Sequence, residues 1–227
     1  MTAPKAMLLA AGRGERLRPI TDTIAKPLVA VAGKPLIVYH LEALAAAGIH
    51  EVIVNLSWLG DQIRATLGSG VRYGVRITYS DEGPEPLETG GGILRALPML
   101  GPDPFLVINA DVWLDMDLRS CGPLADDADA CVVLTSNPPH HPHGDFGLEA
   151  GRVVERDSDR LTYTGVGLYR PEFFAGCRPG KFPLLPLLKR AIAAGRLRGE
   201  RFDGSWFDAG SPERLARLEA WLRARGG

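Results

Sequence analysis

Short apolar runs alternate with amphipathic stretches along most of this chain. Ala6 to Ala11 is the first run, and glycine ends it, the pattern of a buried parallel strand. Pro35 to Ala47 then carries Ile37, Leu41 and Leu44 on one face at helical spacing, with Pro35 near its start and Gly48 as its stop. Glu51 to Leu56 reads as a strand, Leu59 to Leu67 as a helix, and Val75 to Ser80 as another strand. The Pro- and Gly-rich segment Asp81 to Gly92 predicts a loop that opens into a helix at Ile93 to Leu100, followed by a strand at Phe105 to Ile108. Ala130 to Thr135 predicts a further strand. Leu148 to Tyr169 predicts hairpin-like strands with turns at Ala150-Gly151 and Ser158-Asp159. Closing helices are expected at Pro183 to Ala194 and at Pro212 to Arg225, the latter capped by Ser211. This succession predicts an α/β fold: a Rossmann-like, doubly wound, mostly parallel sheet with right-handed crossovers. A small hairpin-rich lid is expected over the carboxyl edge, where open α/β sheets bind their ligands.

Composition narrows the partners. The 227 residues suffice for one sizeable α/β core, and 26 basic against 27 acidic residues leave a net charge of −1. No electrostatic case for nucleic acid or an anionic membrane follows. No apolar run is long enough to span a bilayer, and the N-terminus lacks the apolar core of a secretory signal. Cys121, Cys131 and Cys177 are odd in number and form no CxxC, which fits unpaired thiols in a reducing compartment. A cytoplasmic protein is expected.

The chemistry concentrates where the first strand ends. Gly12-Arg13-Gly14-Glu15-Arg16 lets the backbone turn tightly and bring amide groups close to a ligand, beside the charges of Arg16 and Lys26. Such a turn cradles a polyphosphate. Leu17 stands where the dinucleotide fingerprint GxGxxG needs glycine, and the phosphate loop GxxxxGK[ST] is absent. Asp111 directly follows an apolar strand, and Asp208 lies in Ser205-Trp206-Phe207-Asp208-Ala209-Gly210. Two carboxylates meeting beside a triphosphate suit Mg²⁺, which takes hard oxygen ligands, a few from protein and the rest from phosphate and water. The tract of His140, His141 and His143 follows Pro138-Pro139 and is interrupted by Pro142, which hinders its rings from converging, and it reads as an exposed or sugar-contacting loop rather than a zinc site.

The full combination GxGxRxxPxTx₄KP, from Gly12 to Pro27, resembles the signature of the nucleotidylyltransferases that make nucleotide sugars from a nucleoside triphosphate and a sugar 1-phosphate. The resemblance implies one nucleotidyltransferase domain over 1–227, with a nucleotide-binding half at 1–112 and a sugar-binding and closing half at 113–227. It implies Mg²⁺ on Asp111 and Asp208, and catalytic roles for Arg16 and Lys26. Nucleotide contacts are implied for Ala11, Gly12, Arg13, Gly14, Glu82, Glu88 and Gly91, with Glu88 standing where the family's PLGTAG segment has glycine. Asn109, Gly147, Glu155, Arg156, Thr164 and Gly165 would contact the sugar, Arg156 replacing a usual lysine. The short length, LETGGGI at Leu87 to Ile93 and HHPHGDFGL at His140 to Leu148 are most similar to bacterial N-acetylmuramate-1-phosphate uridylyltransferases of cell-wall recycling. A mannose-1-phosphate guanylyltransferase is the alternative, and a catalytically dead nucleotide-sugar sensor is a third reading. A monomer or weak homodimer is expected.

Overall fold

The computed structural model describes residues 4–225; the ends of the expected 1–227 domain lie outside these residues. The first half alternates strands and helices: β1 (Ala6–Leu9), the short α1 (Ile20–Thr23), the two-residue ribbon β2 (Ala30–Val31) and β3 (Lys34–Pro35), α2 (Leu36–Ala46), β4 (Glu51–Leu56), α3 (Gly60–Leu67), β5 (Arg76–Asp81), α4 (Glu88–Leu100) and β6 (Phe105–Asn109). The second half adds β7 (Val112–Leu114), β8 (Ala130–Thr135), β9 (Gly147–Glu149), β10 (Arg152–Val154), β11 (Thr162–Tyr169), α5 (Leu185–Ala193), β12 (Leu197–Phe202), β13 (Trp206–Asp208) and α6 (Pro212–Ala224).

Nine strands form one sheet in the order β5-β4-β1-β6-β11-β8-β12-β10-β9. Only β11 and β10 run against the rest, so seven of the nine point the same way. The strands are two-sided, as a sheet covered on both faces requires. Along β1, Ala6 and Leu8 face the layer that holds Ile37, Leu41 and Leu44 of α2 and Ile63 and Leu67 of α3. Met7 faces the opposite layer, with Ile93 and Ala96 of α4 and Leu187 and Leu188 of α5. Helices on both faces make the sheet doubly wound. The hairpin of β9 and β10 extends the far edge of this same sheet. The segment that reaches the carboxyl-edge cleft is the histidine tract before it, whose His140 and His141 line that cleft.

From β1 the chain steps to β4 and β5 on one side, then returns to β6 on the other. Strand order therefore reverses at β1 and β6, and a crevice opens outside their carboxyl ends. The elbow after β1 and Asp111 after β6 both empty into it.

Helix α4 begins at Glu88, five residues ahead of the expected start at Ile93. Three glycines make the stretch a poor helix former in isolation. Tertiary packing overrides that preference: a side chain at Gly90 would strike the Phe182 ring, and one at Gly91 the carbonyl of Gly180.

His40 of α2 is buried, and its Nε2 meets no partner among the described residues. Burial pushes its pKa from 6.5 down to about 4, against a backbone hydrogen bond at Val112 and the charge of Asp111, which both raise it. The ring is thus neutral in the fold, while the unfolded chain takes up its proton first as pH falls. This stability is complete above pH 6.5 and is lost between 6.5 and about 4. We expect urea denaturation to show the wild type losing about 3 kcal/mol more than His40→Leu over that window. Parallel pH dependence in the two proteins would contradict the assignment.

Candidate functional site

The elbow after β1 is held by neighbours rather than by its own sequence alone. Gly14 adopts φ 70° and ψ 40°, and a side chain there would press on Lys26 and Thr21. Its carbonyl accepts hydrogen bonds from the Thr21 hydroxyl at 2.8 Å and the Leu17 amide at 2.9 Å. Trp58 Nε1 donates to the Thr21 carbonyl at 3.0 Å, and Gln62 joins the next turn at Thr23 and Ala25. The amides of Ala11 to Gly14 take no part in the hydrogen bonds that close these turns, and so stay available to an anion. The Arg13 guanidinium stacks over the Trp58 ring at 4.3 Å, leaving Arg13 to offer its backbone.

Lys26 follows this elbow in a short 3₁₀ turn, and its ammonium forms an ion pair with Asp111. Burial pushes the Asp111 carboxyl up, but the Lys26 charge and hydrogen bond, a backbone hydrogen bond and the charge of Arg16 together hold it below the usual carboxylate range. Asp111 therefore stays ionised at neutral pH. Two strands the sequence does not announce bring Asp208 beside it. β13 pairs antiparallel with β7, setting Asp208 opposite Val112, and the Ala209 amide donates to the Asp111 carbonyl at 2.9 Å. Asp208 accepts the Gly210 amide at 2.6 Å and lies 3.2 Å from Arg214 and 3.6 Å from His140. A side chain at Gly210 would run into Asp208, Arg214 and Arg16 together, so Arg16 reaches the same spot from the elbow.

These residues border two adjoining clefts that share Asn109 and Asp111. One, of about 200 Å³, is bounded by Leu9 to Gly12, Lys26, Asn55, Glu82, Glu88 and Thr89. The other, of about 390 Å³, holds Arg16, His140, Thr164, Gly165, Asp208 and Arg214. Thr164 and Gly165 reach it through a bulge: three residues of β11 lie between Tyr163 and Gly167, where β8 has only Val133 between Leu134 and Val132. Gly165, at φ 84°, lies against the Asn109 side chain, which leaves no room for a Cβ. The Thr164 hydroxyl is turned inward to the Val133 carbonyl at 2.9 Å, so its backbone rather than its side chain borders the cleft.

Other sequence candidates lie elsewhere. Gly91 is not on the cleft wall; its amide donates to the Phe182 carbonyl at 3.1 Å, and its small size serves the packing of α4. Gly147 packs against the Arg156 stem, which leaves no room for a Cβ at that position. Glu155 and Arg156 border a separate basin with Arg160 and Lys189, joined to the main cleft through Asp145; Glu155 pairs with Lys189 at 3.0 Å. Glu82 reaches the nucleotide-side cleft, but both its oxygens are already engaged, by Asn55 and by the Leu87 amide, each at 2.7 Å.

Glu88 has φ 60°, a left-handed conformation that suits glycine, the residue its motif resembles. Replacing it by glycine should relieve that strain and, after the added chain entropy, raise unfolding free energy by up to about 1 kcal/mol. A loss of stability in urea denaturation would mean that its carboxylate, in the first turn of α4, makes a contact worth more than the strain.

No cluster of three or more His, Cys, Asp or Glu side chains converges among the described residues. Asp111, in the turn before β7, and Asp208, on β13, supply hard oxygens and nothing soft, a donor set that fits Mg²⁺ completed by phosphate and water. Cys121 and Cys131 are unpaired, and burial pushes their thiols up to about 11 and about 12. No helix is long and apolar enough to cross a membrane among the described residues.

The nucleotidyl transferase family model matches residues 5–160. The chain is 47% identical to N-acetylmuramate alpha-1-phosphate uridylyltransferase of Neisseria meningitidis, over 95% of this chain and 97% of the relative. It is 39% identical to the enzyme of the same name from Caulobacter vibrioides, over 97% and 98% of the two chains. The solved structure of HddC from Yersinia pseudotuberculosis, complexed with GMP-PN, superposes with a TM-score of 0.82 over 97% of this chain and 100% of that one, and at 23% identity it speaks for the fold. By fold and by likeness along nearly its whole length, the chain belongs to the nucleotidyl transferase family and is an enzyme of the sugar-1-phosphate nucleotidyltransferase type.

Proposed function

We propose that the protein transfers the uridylyl group of UTP to N-acetylmuramic acid 1-phosphate, giving the UDP-sugar and pyrophosphate, and serves cell-wall recycling in the cytoplasm. The observation that carries this reading is the near full-length likeness to two uridylyltransferases of that acceptor. The two clefts meeting at Asp111 support it, since two anionic substrates must react across a shared wall. Guanylyl transfer to mannose 1-phosphate has weaker support, because those two relatives act with a uridylyl donor by name.

A phosphate oxygen of the sugar 1-phosphate attacks the α-phosphorus in line; that O–P bond forms as the bond to pyrophosphate breaks. The protein contributes alignment and charge rather than covalent chemistry. In our assignment the amides of Ala11 to Gly14 and the fork of Arg16 hold the departing phosphates. Lys26 neutralises charge growing on the α-phosphate. Asn109 and the backbone of Thr164 and Gly165 flank the acceptor. Asp111 and Asp208 would hold Mg²⁺, which when bound neutralises phosphate charge and orients both anions. The test is a matrix of UTP, GTP, dTTP and CTP against several sugar 1-phosphates, scored by pyrophosphate release. The reading predicts the highest kcat/KM for UTP with N-acetylmuramic acid 1-phosphate; turnover confined to GTP and mannose 1-phosphate would overturn it.

A further inference from the structure

Strand β4 is apolar at its other buried positions, Val52, Ile53, Val54 and Leu56, yet it carries Asn55 with 3% of its surface exposed. Both ends of that side chain are used. Oδ1 accepts the Ala10 amide at 2.6 Å, where the phosphate elbow begins, and Nδ2 donates to Glu82 Oε1 at 2.7 Å. Glu82 is itself buried, and its Oε2 accepts the amide of Leu87, the residue that opens α4, at 2.7 Å. A continuous hydrogen-bonded strut therefore runs from the elbow to the start of α4, along the wall of the nucleotide-side cleft. Gly92 lets α4 close onto it, since a side chain there would overlap Glu82 Oε1 and press on Asn55.

The strut joins two backbone donors. Each end must present an acceptor, and one donor must lie between, as asparagine and glutamate provide. The Glu82 carboxylate is buried between two neutral donors at the amino end of α4, an arrangement that fixes its position. Arrangements of this kind orient the groups around them rather than leaving them free to adapt.

We propose that Asn55 is a positioning residue for the nucleotide: acting through Glu82, it holds the phosphate elbow and the Pro86–Thr89 wall at the spacing a nucleoside triphosphate requires. The inference rests on the nucleotide reading of this cleft. It gives Glu82 a part in setting the geometry of the site instead of direct contact with the base.

The test exploits the polarity of the strut. Asn55→Asp sets a carboxylate against Glu82, and Glu82→Gln sets an amide donor against a backbone donor at Leu87. The double variant N55D/E82Q restores every hydrogen bond with the middle one reversed, at unchanged total charge. UTP affinity is measured by titration calorimetry on wild type, both single variants and the double variant, alongside KM for the sugar 1-phosphate and thermal midpoints. Each single variant is expected to weaken UTP binding about tenfold or more, the scale of one buried hydrogen bond broken. KM for the sugar 1-phosphate should move far less, and the double variant should return to within about threefold of wild type. A double variant no better than the worse single variant would overturn the inference, as would single variants that bind UTP normally. Singles and double that differ in thermal midpoint but not in UTP affinity would reduce the strut to a folding element. Failure of the wild type to bind UTP would instead defeat the reading of the cleft itself.

Discussion

Lys26→Ala is expected to lower turnover by about 10²–10³, the scale of losing one preorganised charge at the reacting centre. The ammonium is well enclosed, with 12% of the side chain exposed, and it is paired with Asp111 on the wall shared by both clefts. A charge held there needs no rearrangement when negative charge gathers on the α-phosphate, and little water screens it. The substitution also removes the partner that keeps Asp111 ionised against its burial. Steady-state pyrophosphate release should show the loss mainly in kcat, with KM for the sugar 1-phosphate changing less. Near-normal turnover would remove Lys26 from the chemistry.

Asp208→Asn should be nearly as damaging, about 10² or more in turnover, with a rightward shift in the Mg²⁺ concentration that gives half-maximal rate. Asparagine can still accept the Gly210 amide, so the β7–β13 ribbon should persist and the thermal midpoint should change little. What disappears is the negative charge that faces Arg214 at 3.2 Å and that would join Asp111 in holding Mg²⁺. An unchanged Mg²⁺ dependence would contradict the pairing of these two aspartates.

The doubly wound half was legible because β1, β4 and β6 are short runs dominated by apolar residues and β5 alternates buried with exposed positions. The second half hid more. β12 reads LRGERF, with glycine and three charged residues, and it is a strand because β8 and β10 flank it rather than because its own sequence demands it. β7 and β13 have three residues each, too few for a period to register, yet their pairing is what unites Asp111 with Asp208. The elbow and the two aspartates stood out because glycines and charges interrupt apolar runs there, and the structure brings them to one cleft. At Gly91 and Gly147 the protein's own packing requires a close approach, and in sequence such a glycine looks the same as one required by a ligand. Asn55 and Arg214 were missed although both left a trace: a lone amide in an apolar strand, and a cation in the first turn of α6, where the helix dipole disfavours it. Either trace alone is common in proteins with no site at all.

The central claim is that two anions react across the wall that carries Asp111 and Asp208. Its most direct test measures pyrophosphate against UDP-sugar when UTP, N-acetylmuramic acid 1-phosphate and Mg²⁺ are mixed with the wild type and with a variant carrying both Asp111→Asn and Asp208→Asn. The account predicts equimolar products from the wild type only when both substrates are present, and essentially none from the variant. UTP binding without pyrophosphate release for any sugar 1-phosphate, or undiminished release by the variant, would contradict it.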